Sequence, residues 1–121
     1  MKKAVLLLMA VLLLTSTCWA AEHPKGQEVT MTGMMSCTFC NLPGGAKCTK
    51  QCCQDCVKSG DPVLLTADKG GLYILLSGEQ MKPLMTPERM EMLQSKVTVT
   101  GTVVKRDGLQ AIYVKKLEKA K

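Results

Sequence analysis

Six cysteines fall within twenty residues of this 121-residue chain: Cys37, Cys40, Cys48, Cys52, Cys53 and Cys56. A seventh, Cys18, stands apart from them. Cys37-Thr38-Phe39-Cys40 and Cys53-Gln54-Asp55-Cys56 are both C-x-x-C pairs, separated by twelve residues. A C-x-x-C turn lets two thiolates converge on one ion, and two such turns complete a tetrahedral site. Cys37, Cys40, Cys53 and Cys56 are therefore the first-choice ligands for a soft metal, zinc or copper(I), with Cys48 and Cys52 as alternates. The same six residues also suit three disulfides, which would rigidify a long segment with almost no core of its own. An even cysteine count in an oxidising compartment argues for that reading first. Six cysteines allow fifteen pairings, and adjacency sets only one limit: Cys52 and Cys53 take different partners, because a bond between neighbours is strained. A third reading is reversible thiol–disulfide exchange at Cys37 and Cys40, although the pattern there lacks the strand-to-helix setting of thioredoxin-like sites.

Other chemistry is scarce. His23 is the single histidine, so neither a Cys-His nor a Ser-His-Asp arrangement can be assembled. Asn41 and Val57 occupy the positions where a haem-attaching histidine would follow each pair. Gly44-Gly45 and Gly70-Gly71 read as turn glycines rather than phosphate loops. Asp55 and Asp61 read as helix-end and turn residues, not as a catalytic pair. Methionine sulfur is a copper(I) ligand, yet Met31, Met35 and Met90 fall on core faces; Met34 and Met92 fit core filling least well. The expectation is a protein without enzymatic activity.

The start of the chain sets the compartment. Met1-Lys2-Lys3 precedes an apolar run from Ala4 to Leu14, and Cys18-Trp19-Ala20 offers small residues at the positions a signal peptidase reads. Residues 1–20 are thus expected to be a signal peptide, and the protein periplasmic or secreted. The run is short of the roughly 20 apolar residues of a membrane helix, so no transmembrane span is expected after cleavage. Lipidation at Cys18 is disfavoured by Thr15 and Thr17. With Lys2 and Lys3 gone, the net charge of +6 falls to +4. That is mildly basic and well short of the concentrated positive face of nucleic-acid binding, which also needs stacking aromatics. Partners are then an envelope protein or a small ligand, and not nucleic acid.

The elements that must position the cysteines follow from periodicity. Residues 21–26 read as a loose terminus. Val29, Met31, Gly33 and Met35 alternate with threonines and predict a strand over Gln27–Met35. A cysteine insert spans residues 36–60, turning at Pro43-Gly44-Gly45 and helical from Cys48 to Lys58. If helical, Cys48, Cys52 and Cys56 lie on one stripe with Cys53 beside it. Val63–Thr66 and Leu72–Leu76 flank Asp68–Gly71 as a hairpin. Thr86 and Pro87 open a helix over Met85–Ser95. Val97–Val103 and Ala111–Leu117 form a last hairpin around Asp107-Gly108, with residues 118–121 a charged tail. Five strands with a helix between the third and fourth predict a mainly β, five-stranded OB-like barrel over residues 27–117, carrying a cysteine-rich, partly helical insert after strand 1.

The run Cys52-x-x-x-Cys56-Val57-Lys58-x-Gly60, then Gly71-Leu72-Tyr73, then Val97-Thr98-Val99-Thr100-Gly101, resembles a family of small exported bacterial proteins with an OB-like domain. The resemblance covers roughly Glu28 to Leu117. It implies a family pattern at Cys37, Cys52 and Cys56, with Cys40, Cys48 and Cys53 as additions, and it implies no activity. The function expected first is therefore an exported, non-catalytic binding or structural module with a disulfide-stapled cluster. Soft-metal binding and thiol–disulfide exchange are the rivals.

Overall fold

A computed structural model describes residues 25–44 and 47–121. The expected signal peptide, with residues 21–24, lies outside the described residues. Alternating apolar side chains build five strands: β1 (Gln27–Cys37), β2 (Val63–Ala67), β3 (Leu72–Ser77), β4 (Ser95–Arg106) and β5 (Leu109–Lys119). They close into a barrel in the order β1-β2-β3-β5-β4, in which only β3 and β5 run parallel. This is the OB-like barrel that the element order predicts.

β1 closes the barrel by pairing on both edges. Residues 27–35 pair with β4 and residues 33–37 with β2, so Gly33, Met34 and Met35 have a partner on each side. Gly33 permits the close approach, since a Cβ there would overlap the Thr66 carbonyl oxygen and stand 2.8 Å from Ala67 Cα. Inward-facing Met35, Leu65, Leu75, Val97, Val99, Ile112 and Val114 form the core. The β4–β5 turn places Asp107 and Gly108 at φ 48° and 86°, the left-handed conformations that an Asp-Gly hairpin turn demands.

Several boundaries differ from the sequence reading. β1 continues through Ser36 and Cys37, which pair with Leu64 and Val63, so the insert begins at Thr38. β5 extends through Glu118 and Lys119, paired with Thr98 and Val97, so the charged end is strand rather than tail. The helix expected over Met85–Ser95 shortens to Pro87–Met90, capped by the Thr86 hydroxyl accepting from Arg89 N–H. Strand pairing takes the remainder: Gln94 adopts φ 57° and donates its N–H to the Met35 carbonyl at 2.8 Å, and Ser95 opens β4 opposite Met35. Leu93, wholly buried, still fills the barrel end as an apolar plug.

Candidate metal centre

Four segments carry the cysteines to one end of the barrel. β1 delivers Cys37, whose side chain continues the inward face of Met35 and is fully buried. A single helical turn, α1 (Thr38–Asn41), follows at once and carries Cys40. The second helix, α2 (Lys50–Lys58), carries Cys52, Cys53 and Cys56. The short helix Pro87–Met90 is α3. Cys48 lies just ahead of α2, because Thr49 is its N-cap and accepts from Cys52 N–H at 3.1 Å. The expected stripe of Cys48, Cys52 and Cys56 therefore loses its first member to the capping loop.

α2 is held against the barrel by specific contacts. Gln54, nearly buried, donates through Nε2 to the Met90 carbonyl at 3.0 Å and to Glu91 Oε1 at 3.3 Å. Lys50 and Glu91 form an exposed ion pair at 3.0 Å, of small energetic weight. Cys53 is fully buried among core residues and accepts from Cys37 N–H at 2.9 Å. Asp61 accepts from Phe39 N–H at 2.9 Å, tying the start of α1 to the segment after α2, and Asp55, inside α2 rather than at its end, accepts from Gln51 at 2.9 Å.

The sulfurs converge. Cys37, Cys40 and Cys56 form one group, Cys37, Cys48 and Cys53 a second, and Cys40, Cys48 and Cys52 a third; within each, the sulfurs lie within 4.8 Å of one another. All six residues carry free thiols, and Cys37 and Cys48 stand 3.8 Å apart, against about 2.05 Å for a disulfide bond. The groups are the right size to hold metal ions through cysteine. None contains both Cys53 and Cys56, so the two C-x-x-C pairs do not combine in them as the spacing suggests.

Electrostatics within the cluster are uneven. Burial pushes the Cys37 thiol up, but the Cys40 backbone N–H and the thiols of Cys53, Cys48 and Cys40 outweigh it, and Cys37 ends below the ordinary cysteine value. Asn41 Nδ2 also stands 3.7 Å from its sulfur. A hydrogen bond to Cys48, then burial, raises Cys40. Burial is the main cause that raises Cys48, and it pushes Cys53 up to about 12 and Cys56 up to about 11, helped by charge at Cys37. Among the cysteines with a shifted thiol, Cys37 alone moves down.

Two features escape the sequence reading. Cys37 is the N-cap of α1, so the Cys37–Cys40 pair does sit at a strand-to-helix junction, which the pattern alone did not reveal. That pair differs from an exchange site in its access: Cys37 is fully buried and the helix has four residues. The second feature is Gln94. Its side-chain amide faces Cys48, and its Nε2 is buried with no hydrogen-bond partner. No local pattern marks it, since its place depends on the left-handed turn into β4. Gln94→Gly is expected to make the metal-free protein more stable by about 1 kcal/mol, because the left-handed backbone and the unpaired donor both carry a cost. Urea unfolding with reductant present checks this; a loss of stability would show that the amide is satisfied in the thiol form.

The methionines divide largely as expected, with Met92 the exception because it packs against the core. Met35 is in the core, and Met31, Met85, Met90 and Met92 pack against it, while Met34 and Met81 are exposed. Among the described residues, no helix is long and apolar enough to cross a membrane. No family model, curated protein or solved structure matches this chain.

Proposed function

We propose that this chain is an exported, non-catalytic soft-metal-binding protein that holds zinc or copper(I) in the cysteine cluster at the end of an OB-like barrel. The observation that carries the reading is the gathering of six sulfurs into three overlapping groups of three, each within 4.8 Å. Thiolate-only donor sets select copper(I) or zinc over harder ions. Pairing into three disulfides needs each sulfur to approach one partner; here Cys37, Cys40 and Cys48 each approach several. The disulfide-stapled module expected first from compartment alone becomes the alternative outcome of the test. The signal-like start of the chain supports export and a periplasmic or secreted location, and an envelope partner or donor of the metal.

The test is elemental analysis with intact mass, on protein purified from cells under argon, with and without alkylation. The expected result is bound zinc or copper at one equivalent or more, with cysteines that alkylate only after unfolding or chelation. A mass six hydrogens light, with no metal and no alkylation, would overturn the reading in favour of three disulfides. Two alkylated cysteines without metal would point to the exchange pair instead.

A further inference from the structure

How many ions the six sulfurs hold, and of which metal, follows from how the groups overlap. Resting on the soft-metal reading above, we propose that the cluster is a thiolate-bridged site for three copper(I) ions. Cys37, Cys40 and Cys48 each belong to two of the three groups, whereas Cys56, Cys53 and Cys52 belong to one each. The three shared sulfurs are consequently also within 4.8 Å of one another, and each edge of that triangle is capped by one cysteine of α2. An ion at the centre of each group is held by two bridging thiolates and one terminal thiolate.

The distances and the donor count favour copper(I). Three sulfurs around an ion at bonds of about 2.3 Å stand about 4.0 Å apart. Cys37 and Cys48 stand at 3.8 Å. Zinc is almost always tetrahedral and needs a fourth donor at each centre. The three groups hold three cysteines each, with no histidine or carboxylate among them. Copper(I) is soft, has a filled d shell and accepts three thiolates in a plane. The arrangement also explains the adjacent Cys52 and Cys53. Neighbours on a helix point about 100° apart, and these two serve different centres, one exposed and one buried.

Filling the cluster is a balanced exchange. Six thiols release six protons to solvent, three copper(I) ions enter without change of oxidation state, and the filled site carries three negative charges. Donors for that charge are already aimed at it: Cys37 N–H at Cys53 sulfur, Asn41 Nδ2 at Cys37 sulfur and the Gln94 amide at Cys48. Gln94 Nε2 is a further buried donor that lacks a hydrogen-bond partner.

The experiment titrates the reduced, metal-free full chain with copper(I) acetonitrile complex under argon, read by native mass spectrometry and copper X-ray absorption. Three copper ions bound cooperatively, with a short copper–copper distance beyond a shell of three sulfurs, are expected. Cys48→Ser removes a bridging ligand and is expected to leave one copper; Cys52→Ser removes a terminal ligand and is expected to leave two. Where Cys48→Ser fails to fold, Cys40→Ser makes the same prediction. A single copper or zinc in the wild type, or equal losses from bridging and terminal variants, overturns the trinuclear cluster and leaves the soft-metal reading standing. Retention of no metal overturns both.

Discussion

Cys37→Ser is expected to weaken the affinity of the chain for zinc or copper(I) by more than about 100-fold, since losing even a ligand's supporting partner costs 10–100-fold. Cys37 belongs to two of the three sulfur groups and, like Cys53, has no exposed surface. It is also a core residue, packed with Met35 and Cys53 in the barrel end. Serine keeps the shape but brings a hydroxyl into an apolar site, so the metal-free protein is expected to lose about 1–3 kcal/mol. Competition with a chromophoric chelator measures the first effect and urea unfolding the second. Cys52→Ser is the control for stability alone, because Cys52 is exposed and its loss leaves the core untouched. Equal metal affinity for Cys37→Ser and wild type would remove Cys37 from the centre.

Gly33→Val is expected to give the largest loss of folding stability, about 3 kcal/mol or more, because overpacking against backbone cannot be relieved by a rotamer change. Gly33 pairs with Ala67 on one side and Val97 on the other, where β1 passes from β4 to β2. Its absent side chain is replaced by the Thr66 carbonyl and Ala67 Cα. The cysteine end of β1 hangs from this crossing, so the variant is also expected to weaken metal retention without touching a ligand. Gly60→Ala provides the comparison. Gly60 has φ 105° and open space around it, so only backbone strain enters, about 1 kcal/mol. Similar losses at the two positions would show that close approach is not what Gly33 supplies.

Much of the barrel was legible because its signals are local. Period-two alternation in Val29–Met35 and Val97–Val103 marks strands wherever one face is buried, and Asp107-Gly108 marks a hairpin by the φ values it tolerates. The same alternation, carried two residues further, places Cys37 on the inward face; assigning residues 36–60 to the cysteine insert cut the strand short at Met35. The long helix over Met85–Ser95 failed for a non-local reason, the claim of Met35 on Gln94 N–H.

By itself the sequence determined that six thiols lie within one twenty-residue stretch of a small barrel, because composition and spacing need no knowledge of neighbours. Only the tertiary structure decided which sulfurs meet. C-x-x-C spacing describes convergence along the chain, whereas the observed groups join β1, α1, the capping loop and α2 across the fold. That joining depends on where Gln54 docks α2 and on Thr49 taking Cys48 out of the helix. It also brings Gln94, from the far side of the chain, to face Cys48. The Thr49 cap is local, but the Gln54 and Gln94 placements join residues distant in sequence, and no local preference encodes them.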